Sequence, residues 1–124
     1  MAWDFVDGIA IYSQIIDHIK LKIAVGEYKP GDRLPPVREL AALAEVNPNT
    51  MQKSLAELER QGFLHAERTA GRYITDNKEL IGGLKSLLVE RNVDKYFTSM
   101  ATLGYCEKEA ARIAGDYAGR GMRS

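Results

Sequence analysis

One cysteine, two histidines and four prolines are all that this 124-residue sequence holds of those residue types, and neither sign of charge exceeds the other. With Cys106 alone, no internal disulfide can form, and a reducing compartment is the natural setting. His18 and His65 stand far apart without any Cys/His cluster, so no metal-ligand spacing is present. The glycine pairs match no phosphate-cradling loop, and Cys106 lacks a recognisable nucleophile setting. No metal, cofactor or enzymatic activity is therefore expected. Seventeen Lys and Arg against seventeen Asp and Glu leave no net charge. That argues against a protein that coats nucleic acid through bulk positive charge, though not against a sequence reader whose charges are segregated. No apolar run approaches the roughly 18–20 residues of a membrane span, and Met1 to Gly8 carries acids where a signal peptide needs bases. A soluble cytoplasmic protein is expected, with no membrane partner. At 45% hydrophobic residues, the chain suits one small core plus an appendage.

What the chain does have is a dense stretch from Arg33 to Gly71. Leu34-Pro35-Pro36 excludes helix and sets the entry to a short helix from Val37 to Leu43, with Leu40 and Leu43 facing inward. Only Ala44, Glu45 and Val46 separate it from the next helix, a turn of the kind that sets two helices at a steep angle. Asn47 suits an N-cap and Pro48 the first helical position. From there Met51, Leu55, Leu58 and Phe63 follow a buried-stripe spacing. The opposite stripe is Asn49, Gln52, Lys53, Ala56 and Arg60. Amides at Asn49 and Gln52 can make bidentate contacts to adenine, and Lys53 suits guanine or a phosphate. A polar stripe alone is most often a solvated face, so its surroundings decide its meaning. Gln61-Gly62 ends the helix. Residues Phe63–Glu67 and Arg72–Thr75 then read as two strands joined through Arg68-Thr69-Ala70-Gly71. Helix, turn, helix and a hairpin with a basic tip make a winged helix-turn-helix. In that geometry the second helix enters the major groove and the wing reaches the flanking minor groove or phosphates. Arg38, Lys53, Arg68 and Arg72 fall on the expected DNA side. Charge is nonetheless balanced within residues 26–75, so a single chain should bind weakly.

Before this stretch, Trp3 and Phe5 lie in an arm that either packs on the core, the favoured expectation, or reaches a partner subunit. A first helix runs from Ile11 to Val25, marked by the apolar pattern Ile15, Ile16, Ile19, Leu21 and Ile23 with help from Tyr12, and Gly26 closes it. After it, Asp76-Asn77 can cap a new helix. A long pattern from Glu79 to about Leu103 is interrupted by Gly82-Gly83, followed by Gly104 and a last helix from Glu107 to Ala118. The expected organisation is residues 1–76 as the head and 77–124 as a helical segment. The fold class is mostly α with a small β-wing (α+β), a winged helix-turn-helix followed by a short two-helix dimerisation segment. Two such helices are too short to enclose a metabolite pocket and bury themselves at once. Leu84, Leu87, Leu88, Val93, Phe97 and Met100 are expected to form the interface of a twofold homodimer. Two heads on double-stranded DNA with a palindromic operator would then gain effective concentration.

The chain from Ile11 to Thr75 resembles the GntR family of bacterial transcription regulators. The resemblance rests on Ile11-Tyr12-Ser13-Gln14-Ile15, Gly26-Glu27-Tyr28-Lys29-Pro30-Gly31-Asp32-Arg33-Leu34-Pro35, Val37-Arg38-Glu39-Leu40-Ala41 and Leu58-Glu59-Arg60-Gln61-Gly62. Val46-Asn47-Pro48-Asn49-Thr50 with a short C-terminal part is similar to the YtrA-like subgroup. The resemblance implies that Arg38 reaches a base or phosphate and that Asn47, Asn49 and Thr50 open the recognition helix. It also implies that Gly71 is the wing glycine, and that the protein represses a promoter operator, in this subgroup often one for transporter genes. There are departures. Pro48 and Gln52 stand where many relatives have arginine, Pro36 replaces a frequent serine, Thr69 replaces a common wing glycine, and Glu45 stands where glycine usually makes the turn. If that turn needs a left-handed backbone, Glu45 costs roughly 1 kcal/mol. The alternative reading is a winged-helix protein-interaction module without sequence-specific DNA binding. A small-molecule effector is left open and would need an enclosed cavity near Phe97 and Met100.

Overall fold

The computed structural model describes residues 3–67 and 71–121. Its elements, in chain order, are α1 (Ile11–Ala24), α2 (Val37–Ala44), α3 (Pro48–Arg60), β1 (Leu64–Glu67), β2 (Gly71–Ile74), α4 (Lys78–Thr102) and α5 (Glu107–Gly121). The fold is α+β, a winged helix-turn-helix followed by helices. Two compact units divide inside α4, at Lys85/Ser86, rather than before it at the expected residue 76. The first turns of α4 belong to the head: Leu84 is buried, and Leu80 lies against Gly62.

In the first unit, α1 turns Ile15, Ile16, Ile19 and Ile23 into the core and leaves Leu21 exposed. The arm before α1 is tied down by Gln14. Its amide donates to the Val6 and Ile9 carbonyls (both 2.9 Å), and its oxygen accepts from the Val6 N–H (2.8 Å). Trp3 is buried and stacks on the His18 ring with centroids 4.0 Å apart, so the arm packs on its own core. Phe5 is half-buried, its ring 6.4 Å from that of Trp3.

Helix α2 buries Leu40, Ala41 and Ala44. Leu43, expected to face inward, is 55% exposed. At about 100° per residue it lies roughly 100° from the centre of the face the other three define. Helix α3 packs against α1, α2 and β1, burying Met51, Ser54, Leu55 and Leu58. Ser54 is tolerated inside because its hydroxyl donates to the Thr50 carbonyl (2.9 Å).

The wing is an antiparallel pair with Leu64 opposite Ile74, His65 opposite Tyr73, Ala66 opposite Arg72 and Glu67 opposite Gly71. Residues 31–34 line the free edge of β2. The Ile74 N–H donates to the Asp32 carbonyl (2.8 Å), the Leu34 N–H to the Arg72 carbonyl (2.9 Å), and Arg33 bridges Tyr73. The segment before α2 therefore supports the wing root. Asn77 caps α4, its side chain accepting from the Leu80 N–H (3.1 Å).

In the second unit, Gly104 (φ +95°) ends α4 and Cys106 opens α5. Glu109 reaches back to accept from the Cys106 N–H (3.1 Å), which is half of a capping box. That bond, with the Cys106 side chain, holds the Glu109 carboxyl below its usual pKa. Tyr96 donates its hydroxyl to the Ala110 carbonyl (2.7 Å), and Ala110 is buried. No described helix is long and apolar enough to cross a membrane.

Candidate nucleic-acid interface

The α2–α3 turn is tight because Glu45 adopts φ 58°, ψ 47°, the left-handed conformation. It is the one described non-glycine residue with positive φ. Its N–H donates to the Ala42 carbonyl (3.2 Å) and the Val46 N–H to the Ala41 carbonyl (3.0 Å), closing the end of α2. Asn47 then starts α3, its side-chain oxygen accepting from the Asn49 N–H (2.7 Å), with Pro48 at the first position. The cap and the buried stripe together fix which way α3 faces.

Asn49, Gln52, Lys53, Ala56 and Arg60 are all exposed along α3, on the side away from Met51, Leu55 and Leu58. Asn47 is exposed but its side chain is committed to the cap, and Thr50 is half-buried. The Lys53 ammonium sits 5.5 Å from the Tyr12 ring centroid, an arrangement that steadies a cation without neutralising it. Arg38 is exposed on α2. Arg60 is bound to Glu57 (Nε to Oε1, 2.8 Å). Hydrogen bonds from Arg60 and then Gln61 hold the Glu57 carboxyl down to about 2. Arg60 is thus a partnered cation at the end of the stripe.

Two wing residues named from sequence, Arg68 and Thr69, lie outside the described residues. Gly71 opens β2 at φ +89°, with the Arg33 guanidinium 3.5 Å from where a Cβ would stand, so a side chain there would be strained. Arg72 differs from the expected free cation. Its Nε donates to Glu59 (3.0 Å) and its Nη1 to the Gln52 side-chain oxygen (3.3 Å), and only 17% of its side chain is exposed. The structure thereby joins two residues expected to act separately, Gln52 and Arg72, through a third, Glu59.

Sequence reasoning missed Glu59 and Arg33. Glu59 follows Gln52 and Ala56 at helical spacing on one face, a signal that was available. Arg33 is exposed and lines, with Pro35, Pro36, Gly71 and Arg72, a hollow of about 120 Å³ at the wing root. Its pairing with β2 joins segments distant in sequence and leaves no periodic trace. Among the described residues no group of three or more His, Cys, Asp and Glu side chains could hold a metal ion.

Of the residues expected at a dimer interface, Leu84 is already buried in the first unit at 5% exposure and has almost no surface to offer a partner. Leu87 and Val93 are 44% and 47% exposed, while Leu88, Phe97 and Met100 are half-buried. The cavities near Phe97 and Met100 are open clefts rather than enclosed ones. One of about 540 Å³ runs from Asp94 and Phe97 to Cys106, and one of about 410 Å³ lies between Tyr96, Met100 and Ile113.

Residues 11–74 match the family described as bacterial regulatory proteins, gntR family. The uncharacterized HTH-type transcriptional regulator YhcF of Bacillus subtilis is 37% identical over 105 residues, 85% of this chain and 87% of that protein. The HTH-type transcriptional repressor YtrA of the same organism is 43% identical over 83 residues, 65% of this chain and 64% of that protein. A GntR family transcriptional regulator from Listeria monocytogenes superposes with a TM-score of 0.81 at 34% identity, covering 90% of this chain and 98% of that one. With a capped, outward-facing α3, a wing supported at its root and these relatives, the chain belongs to the GntR family of DNA-binding bacterial transcription regulators, in its YtrA-like subgroup.

Proposed function

We propose that the chain is a homodimeric repressor that acts by binding, in the bacterial cytoplasm, and reads a twofold operator with α3 in the major groove. The observation that carries this reading is the pairing of opposite faces on α3: Met51, Leu55 and Leu58 are sealed in the core, while Asn49, Gln52 and Lys53 stand exposed. Asn49 and Gln52 contact base edges, and Lys53 contacts guanine or a phosphate. The backbone at Asn47 and Thr50, at the start of α3, approaches a phosphate. Arg38 reaches the backbone or a base from α2, and Arg68, Thr69, Gly71 and Arg72 form the wing's contribution. Likeness to a relative named as a repressor supports repression over activation.

The homodimer forms through Leu87, Leu88, Val93, Phe97 and Met100. Exposed apolar side chains recur along α4 at Leu87, Val89 and Val93, just past its end at Leu103, and on α5 at Tyr117, and such a series drives association. An effector, where one exists, would bind in the clefts beside Phe97 or Met100. The direct test is selection of bound sequences from random duplex DNA with the intact protein. An enriched inverted repeat with half-sites about one DNA turn apart supports the reading. Failure to enrich any sequence, with the protein folded, would favour a protein-interaction module instead.

A further inference from the structure

Gln52, Arg72 and Glu59 form a braced triad across α3 and β2, and its geometry constrains what Gln52 can read. An amide side chain offers one oxygen acceptor and two N–H donors, whereas a guanidinium offers only donors. The group facing Arg72 Nη1 must therefore be the Gln52 oxygen, 3.3 Å away, and the Gln52 NH2 is directed elsewhere. Arg72 is held in that position from two sides. Its Nε donates to Glu59 (3.0 Å), and its backbone carbonyl accepts from the Leu34 N–H (2.9 Å). With most of its side chain covered, Arg72 cannot swing outward without leaving the Glu59 carboxylate unpaired.

We infer that Arg72 and Glu59 are positioning residues that hold the Gln52 oxygen toward β2 and present its NH2 as the reading group, so that the base it meets is guanine rather than adenine. Bidentate pairing of an amide with adenine uses the oxygen to accept from N6 and the nitrogen to donate to N7. Here a cationic donor already draws on that oxygen, which leaves it a poorer partner for the adenine N6. Guanine presents N7 and O6, two acceptors side by side on the major-groove edge, which match the two free hydrogens of the Gln52 amide. This inference rests on the proposal that α3 reads DNA, and it changes the role of Arg72 from a phosphate contact to a brace.

The test is selection from random duplex DNA, followed by binding at several salt concentrations, with the intact wild-type protein and the variants Gln52→Ala, Arg72→Met and Glu59→Gln. The base pair whose preference disappears in Gln52→Ala is the one Gln52 meets. Wild type is expected to prefer guanine there by about tenfold over adenine. Arg72→Met frees the amide to rotate, so adenine should gain by about that factor at this pair, with other positions and the salt slope unchanged. Glu59→Gln keeps Arg72 in place but loosens its brace. It should shift preference in the same direction by less, and it keeps the test open should Arg72→Met fail to fold. Wild-type preference for adenine at that pair, or no pair affected by Gln52→Ala, would overturn the inference. So would a uniform loss across all sequences in Arg72→Met with the salt slope falling by about one unit, which marks a phosphate contact. Absence of any enriched sequence in wild type would instead overturn the DNA-reading proposal beneath it.

Discussion

At the scale of single residues, Glu45 and His18 hold positions that other side chains would fill with less strain. Glu45 sits in the left-handed region, where a Cβ is unfavourable. Glu45→Gly is expected to raise stability by about 0.5–1 kcal/mol, net of the extra freedom glycine gives the unfolded chain. Glu45→Val, branched at Cβ, should lower it by more than about 1 kcal/mol. Denaturant midpoints at constant slope measure both, and equal midpoints for Gly and Glu would mean the turn relaxes elsewhere. His18 stacks on Trp3, and its Nε2 is buried with no hydrogen-bond partner among the described residues. Burial first, and then the Lys22 ammonium, push its pKa below the ordinary 6.5, against a smaller pull from Glu27. The unfolded chain takes up this proton more readily than the folded one, so stability should fall as pH drops below 6.5 and level off beneath the folded value. Because Trp3 is the only tryptophan, its fluorescence reports unfolding of the arm directly. His18→Phe should remove this part of the pH dependence; an unchanged slope would assign it to other groups.

At the scale of elements, α3 and the wing were legible because each carried several agreeing signals. Asn47-Pro48 gave the cap, Met51, Leu55 and Leu58 the period, and Gly62 and Gly71 the breaks. Helix α2 was less so: in eight residues, alanines at 41 and 44 define the buried face as effectively as a leucine, and hydrophobicity alone points Leu43 the wrong way. The Gln52–Arg72–Glu59 triad was not legible as a unit, since a strand meets a helix there with no periodicity linking them. Likewise, nothing local in Leu80 or Leu84 told that the first turns of α4 belong to the head rather than to the following segment. Helix α4 also runs unbroken through Gly82 and Gly83, where no atom lies within 4 Å of an added Cβ. Gly82→Ala and Gly83→Ala should therefore each stabilise the protein by about 0.5–1 kcal/mol through helix propensity alone. Thermal unfolding of the variants checks this. A variant that instead weakened self-association would place a partner helix against that glycine.

At the scale of the whole molecule, a chain with no net charge gains little from non-specific attraction to DNA, and the proposed homodimer would make up the difference with two linked heads. The first unit has its own core from Ile15 to Ile74 and includes α4 as far as Lys85. A fragment ending at Lys85 should stay folded, sediment as a monomer and keep only weak half-site binding. Phe97→Asp or Leu88→Asp in the full chain should act in the same direction, since each buried Leu or Phe contributes about 1.5–3 kcal/mol to association. Full operator affinity in the fragment would remove dimerisation from the account. The central claim, that the outward face of α3 reads bases, is tested most directly by the affinity of Asn49→Ala for the selected operator and for a scrambled duplex at one salt concentration. The account predicts a loss of about 1–3 kcal/mol on the operator and almost none on the scrambled duplex. An equal loss on both would contradict it.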